Sequence, residues 1–400
     1  MIDFRAVAEK YDTPLYVYDF NHITRQYEKL KKAFSGRKSI ISYAVKANSN
    51  LSVISHLADL GSGADCVSIG EVKRALSAGV PKYKIIFSGV GKRDDEIEEA
   101  LKEDILLLNL ESEAEMERVE TIAKELGIQA RISIRVNPNI DPKTHPYIST
   151  GLHENKFGVD IETAKRMYIR ANNSDHLDPV GIHFHIGSQL TELDPIREAS
   201  MIVADLVRSL AAIKIELKFF DVGGGLGIVY DDETTIEPYD YAQAILGTLH
   251  GLDMTVICEP GRFIVGNAGY FLTRVLYEKV NEGKRFIIVD GAMNDLLRPS
   301  LYNAWHRVEV AGKSGNESEA DVVGPVCESG DFFAKKRMLP PTEHGDLVIV
   351  HSAGAYGFTM ASNYNTRPRP AEVAIVDGKD RCIRQRETFE DMIRLEKMCL

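Results

Sequence analysis

From about residue 40 onward, short β-rich runs alternate with amphipathic helical patterns, and this alternation limits the possible folds more than any other feature. The runs are "SIISYAVKA", "GADCVS", "KIIFSG", "ILLLN", "RISIRVN", "GIHFHIG", "FFDVGGG" and "TVICEP". Between them lie segments such as "IGEVKRALSAG", "DDEIEEALKE", "ESEAEMERVETIAKELG", "IETAKRMYIRAN" and "DPIREASMIVADLVRSLAAIK". Strand-helix alternation predicts parallel strands joined by crossover helices. Eight candidate strands in about 220 residues fit a (β/α)8 barrel better than an open doubly wound sheet.

After about residue 270 the helical patterns stop. "YFLTRVLYEKV", "KRFIIVDG", "HRVEVAG", "EADVVGP", "GDLVIVHS" and "AEVAIVDG" predict strands bounded by Gly, Asp and Pro. The opening "TPLYVYDF" is also strand-like and precedes the barrel, so it is expected to pair with the C-terminal sheet. The expected architecture is α/β plus all-β. Residues 1–30 join the β-domain, residues 31–268 form the barrel and residues 269–400 form a β-sandwich or β-barrel domain.

Bulk properties remove several function classes. Net charge is −11, from 48 Lys and Arg against 59 Asp and Glu, so nucleic acid is not an expected partner. No run of about 18 apolar residues occurs, so no membrane span is expected. The first residues, "MIDFRAVAEKYDTP", do not read as a signal peptide. Five cysteines are scattered and form no C-x-x-C pair, which fits a reducing cytoplasm.

A barrel of this kind carries its chemistry at the C-terminal ends of its strands. There the sequence places Lys46, Asp65, Ser88, Asn109, Arg135, Asn137, His183, His185, Ser188, Asp221, the Gly223–Gly225 run, Glu259, Gly261 and Arg262. One such polar residue is usually a satisfied core group, whereas a ring of them is an active site. Lys46, in "YAVKANSN", is either a strand-end lysine snorkelling to water or a desolvated amine that binds an aldehyde cofactor.

"DVGGGLGI" offers backbone N–H groups that suit a phosphate, or it is simply a tight bend. It is not a dinucleotide fingerprint, because the third Gly falls on Ile228. "SGVGKRD" is not a P-loop, since Arg93 stands where Ser or Thr is needed. His183 and His185 share one strand face, but no third or fourth ligand is evident, so no metal is expected. "EPGR" (Glu259 to Arg262) ends the last strand with a carboxylate and a cation. They are an ion pair at the rim or partners for a ring N–H and a phosphate.

Together these segments resemble the fold-type III pyridoxal-phosphate decarboxylases, and within them the diaminopimelate decarboxylases. The matching motifs are "YAVKAN", "GADCVS-GE" (with Ile69 interposed), "FSGVGK", "RVNP", "KTHPYISTGLHENKFG", "HFHIGSQ", "DVGGGLGI", "EPGR", "LRPSLY", "GPVCESGD" and "GAYGFTMASNYNTRPRPAEV", in order from about residue 12 to residue 377. Ile69 departs from the pattern, since many relatives carry Gly there. A local backbone effect is expected, next to a helix starting near Gly70.

The resemblance implies an alanine racemase-like pair of domains and pyridoxal 5'-phosphate as cofactor. It implies that Lys46 holds the cofactor aldehyde and that His185 stacks on the ring. Ser188, Gly223, Gly224, Gly225, Gly261 and Arg262 would surround the phosphate, with Asp65 and Pro260 also in the cofactor shell, and Glu259 would bond the ring nitrogen. Cys327 in "GPVCESGD" would return a proton to the substrate, although a lone Cys is more often a small buried hydrophobe.

For meso-2,6-diaminopimelate, Arg262, Arg298 and Tyr302 would hold the distal carboxylate, Glu328 the distal ammonium, and Tyr356 both cofactor and substrate. The family supplies the Cys327 segment from a partner subunit, implying a homodimer with shared sites. The activity implied is decarboxylation of diaminopimelate to L-lysine, the last step of lysine biosynthesis. The alternatives are a decarboxylase for ornithine or carboxynorspermidine, a racemase of the same fold, and a non-catalytic cofactor-binding relative.

Overall fold

The computed structural model describes residues 2–141 and 155–400. Residues 143–154 of the "KTHPYISTGLHENKFG" motif lie outside them. The chain forms two compact units, one of Thr24–Ile228 with Thr234–Phe263, the other of Met1–Ile23, Val229–Glu233 and Ile264–Leu400.

The chain's first strand, β1 (Leu15–Asp19), belongs to the second unit. The first unit is a closed barrel of eight parallel strands, as the alternation predicts. They are β2 (Ser39–Ala44), β3 (Gly63–Cys66), β4 (Ile85–Phe87), β5 (Leu107–Leu110), β6 (Ala130–Arg135), β7 (Leu177–His183), β8 (Phe219–Asp221) and β9 (Thr255–Cys258). β9 closes onto β2, setting Ile257 opposite Ile40. The strands read as near-continuous apolar runs because both faces of a barrel wall are covered. β3, β4 and β5 are buried at every residue.

Several crossover helices begin on side-chain caps. Ser68 Oγ accepts from the Glu71 amide and Ser112 Oγ from the Glu115 amide, satisfying donors that a helix start leaves open. The second of these helices, Glu113–Leu126, ends on Gly127 in the left-handed conformation. Ile69 is the first residue of the helix Ile69–Ser77, directly after the Ser68 cap.

The second unit is a mixed sheet. In chain order its later strands are β10 (Gly269–Asn281), β11 (Lys284–Val289), β12 (Val308–Val310), β13 (Ser318–Val323), β14 (Phe332–Leu339), β15 (Leu347–Val350), β16 (Ala371–Val376) and β17 (Lys379–Arg384). β1 lies mid-sheet, antiparallel to β10 and parallel to β16. Leu15 and Val17 join Leu272, Ile349 and Val373 in a buried cluster on one face of the sheet, which is why the opening segment folds here.

Helices do not stop at residue 270. Arg298–Tyr302 forms a short helix with Pro299 at its start, where a missing N–H costs nothing. Phe389–Lys397 forms another, opened by a reciprocal cap between Thr388 and Asp391.

Candidate active site

Lys46 lies in a single 3-10 turn, Val45–Ala47, directly after β2. The β2–β3 register pairs Ala44 with Asp65, so the lysine two residues later reaches that carboxylate. Its Nζ is 2.6 Å from Asp65 Oδ2; the lysine side chain is 38% exposed and the aspartate side chain fully buried. Burial pushes the Asp65 carboxyl up and the nearby Glu259 adds to this, while Lys46 pulls it back. The amine is thus held against a buried acid and does not snorkel freely into solvent.

The glycine run after β8 is pressed against two other strand ends. A Cβ on Gly224 would lie 2.2 Å from the Glu259 carbonyl, and one on Gly223 (φ +64°) 2.8 Å from His185 Nδ1. No side chain fits between these backbones. The Gly224 amide donates to His185 Nδ1 at 3.3 Å, so that nitrogen carries no hydrogen. Burial first, and then the Arg135 cation, push the His185 imidazole well below its usual range, which agrees with a neutral ring.

The "EPGR" turn packs on the lysine turn. Pro260 O accepts from the Ala44 amide at 3.1 Å, and a Cβ on Gly261 would sit 3.0 Å from Ala47 Cβ. Buried Arg262 donates through Nη2 to Ser188 Oγ at 3.0 Å. Arg262 and the Ser188 hydroxyl form a donor pair suited to a phosphate, beside a glycine turn too crowded to admit side chains.

Behind them lie three buried titratable groups, His183, Asp221 and Glu259, with one ligand-capable atom of each within 4.8 Å of the others. His183 Nε2 is 3.4 Å from Glu259 Oε2. Burial is the largest influence on Glu259 and would raise it, but His183, Lys46 and Asp221 together outweigh it and hold the carboxyl down at about 2. Asp221 goes the other way, pushed well up by burial and then by the Glu259 charge. The pair is thus driven apart, Glu259 toward the ionised form and Asp221 toward the neutral one, as two close buried acids favour.

Asp221 Oδ1 accepts from the Gly223 amide at 2.9 Å, while Asp221 Oδ2, Glu259 Oε1 and Asp65 Oδ1 are buried without a hydrogen-bond partner. An ion on this trio would leave the amine and the glycine cradle unexplained. A phosphorylated heteroaromatic aldehyde accounts for all three: the amine for the aldehyde, the donors for the phosphate, and the orphaned Glu259 oxygen for a ring N–H.

Sequence reading placed Arg135 at a strand end but overlooked its partner Glu111, one residue past β5. The two form a buried pair at 2.9 Å. Glu111 also accepts from the Gly158 amide at 2.8 Å. Arg135 Nη2 in turn donates to the His185 carbonyl at 3.4 Å. This cluster braces the backbone that carries His185.

The remaining predicted residues lie in the β-unit. Buried Arg298 starts the helix that ends at half-buried Tyr302. Cys327 and Glu328 are exposed, so Cys327 is not the core hydrophobe of the alternative reading. The adjacent Val326 is buried and its amide donates to Asp331 Oδ2 at 2.7 Å, which anchors the loop and turns Cys327 outward. Tyr356 is half-buried with a left-handed backbone, φ 56°. A buried histidine the sequence did not flag, His306, lies 2.9 Å from Arg298.

The family model described as "Pyridoxal-dependent decarboxylase, pyridoxal binding domain" matches residues 20–266. The diaminopimelate decarboxylase of Campylobacter jejuni is 59% identical over 400 residues, covering all of both chains. That of Helicobacter pylori strain J99 is 58% identical over 398 residues, covering 99% of this chain and 98% of the relative. The crystal structure of diaminopimelate decarboxylase from Helicobacter pylori complexed with L-lysine superposes with a TM-score of 0.97 at 57% identity, covering all of both chains. The expected two-domain fold and pyridoxal phosphate as cofactor are both borne out. The chain belongs to the diaminopimelate decarboxylase family of pyridoxal-dependent decarboxylases.

Proposed function

We propose that this protein removes one carboxylate from meso-2,6-diaminopimelate, giving L-lysine and CO2. The observation that carries the substrate is full-length identity of 59% with a diaminopimelate decarboxylase, together with the L-lysine complex of a relative 57% identical. L-lysine is what remains after this loss.

When bound, pyridoxal phosphate supplies an electron sink for the pair left behind by CO2. Lys46 Nζ would hold its aldehyde. Glu259, held ionised, would favour a protonated ring nitrogen, and Asp221, pushed toward its neutral form, would add little negative charge beside it. His185, its ring fixed by the Gly224 amide, would stack on the ring. Ser188, Gly223, Gly224, Gly225, Gly261 and Arg262 hold the phosphate, with Asp65, Pro260 and Tyr356 completing the shell.

Arg298, Tyr302 and Arg262 take the distal carboxylate, and Glu328 the distal ammonium. Cys327 delivers the proton to the carbon that lost CO2. We further propose a cytoplasmic homodimer in which Cys327 and Glu328 serve the partner's site; their exposure in the single chain supports this.

The test is a substrate panel. Holoenzyme incubated with meso-diaminopimelate is expected to yield L-lysine, with L-ornithine and L-arginine turned over at least about a hundredfold more slowly (~3 kcal/mol, the cost of leaving a buried Arg unpaired). Comparable release of putrescine from ornithine would assign a different substrate.

A further inference from the structure

Two bonds around His306 fix its hydrogen. Arg298 Nη1 lies 2.9 Å from His306 Nε2. A guanidinium carries donors only, so Nε2 must accept. On the other side, Nδ1 lies 2.9 Å from the His351 carbonyl, which only accepts. The ring is therefore neutral, with its hydrogen on Nδ1. His306 is fully buried, and Arg298 is buried with it.

A third contact fixes the guanidinium plane. Arg298 Cζ lies 4.6 Å over the Tyr230 ring. Tyr230 also packs edge-on against His306, with ring centroids 5.4 Å apart. It belongs to Val229–Glu233, the short segment that joins the β-unit. Glu233 pins that segment by accepting from the amides of Tyr230 and Asp231, each at 2.8 Å. Arg298 is held on its face by Tyr230 and on one edge by His306. A bidentate grip on a carboxylate requires such a fixed plane.

We propose that His306 is a positioning residue for substrate selection: as the neutral acceptor of an Arg298 N–H, it orients the guanidinium toward the distal carboxylate. The proposal rests on the reading of Arg298 as the distal-carboxylate ligand. Without the acceptor the guanidinium can rotate about its stem, and the geometry that tells a carboxylate-bearing amine from a plain diamine is lost. The reacting end of the substrate and the cofactor are unaffected.

L-lysine and cadaverine differ by that carboxylate alone, so their affinities for the holoenzyme isolate the effect. His306→Phe keeps the aromatic contact with Tyr230 but removes the acceptor. It is expected to weaken L-lysine about tenfold, as loss of a hydrogen bond to a charged group does. It should leave cadaverine and cofactor content unchanged, and raise KM for diaminopimelate more than it lowers kcat. His306→Gln places a carbonyl near the former Nε2 and is expected to restore L-lysine to within about threefold.

Arg298→Ala separates the two claims. If it weakens L-lysine while His306→Phe does not, His306 has no positioning role. If neither variant changes L-lysine affinity, the reading of Arg298 fails and the proposal falls with it. Equal loss of L-lysine and cadaverine in His306→Phe would also overturn it. Where His306→Phe fails to fold, His306→Gln against His306→Asn decides: the shorter Asn should bind L-lysine more weakly, and equal affinity would refute the role.

Discussion

Lys46 Nζ and Asp65 Oδ2 form a 2.6 Å ion pair in which the acid is completely buried and the base is not. The pair holds the amine at a fixed place over the barrel strand ends, and the buried acid already has a second unpartnered oxygen. This geometry ties the lysine to the site on physical grounds, independent of any family motif.

Lys46→Ala should abolish covalent retention of pyridoxal phosphate. The purified wild type should carry the visible absorbance of a lysine-linked cofactor, and borohydride should fix the label on Lys46. An alanine variant that keeps both absorbance and borohydride-stable label would contradict the assignment.

Asp221 is expected to work as a neutral group. Asp221→Asn still accepts from the Gly223 amide and adds no charge beside Glu259, so cofactor affinity should change less than about threefold. Asp221→Ala orphans a buried amide, which costs about 1–3 kcal/mol, so cofactor affinity should fall by about 5- to 150-fold. Equal damage by both variants, read by equilibrium dialysis of the cofactor, would mean that Asp221 acts as a carboxylate.

In the β-unit, a hydrogen bond from Arg285 is the main reason that the Glu278 carboxyl falls to about 2; the two side chains lie 2.9 Å apart. A depressed carboxyl stabilises the fold above its unfolded value of about 4.3, and that contribution is lost as pH falls toward 2. Denaturant midpoints should therefore decline through this window with a shallower slope in Glu278→Gln. Identical slopes would show that the pair is not linked to folding.

The proposed shared site predicts complementation. Lys46→Ala and Cys327→Ala homodimers should each be nearly inactive, while mixed dimers should regain up to about a quarter of wild-type activity, from one intact site in half of the population. Demonstrated heterodimers without recovery would place both residues in one chain's own site.

Much of the fold was legible because the barrel strands are short, mostly apolar runs with polar residues at or just past their ends, and several crossover helices start on Ser68, Ser112 or Asp160 caps. β14 and β17 were not. They are the outer strands of the sheet order, and their sequences "FFAKKRML" and "KDRCIR" carry the charges that edge strands use against aggregation. The helix Phe389–Lys397 escaped because none of its residues is buried. In the site, Lys46, His185, the glycine run and Glu259 stood out because they cluster at strand ends. Glu111 and His306 did not: Glu111 is a single polar residue 24 positions from its partner Arg135, and His306, eight residues from Arg298, lies in no strand or helix that would orient it.

The most direct test of the reaction is to run the holoenzyme on meso-diaminopimelate in D2O and examine the product by mass spectrometry and NMR. Decarboxylation followed by protein-delivered protonation predicts L-lysine carrying one deuterium at the carbon that lost CO2 and none at the carbon that keeps its carboxylate. Recovered diaminopimelate labelled beside a carboxylate, without CO2 release, would mark a racemase and contradict the proposed function.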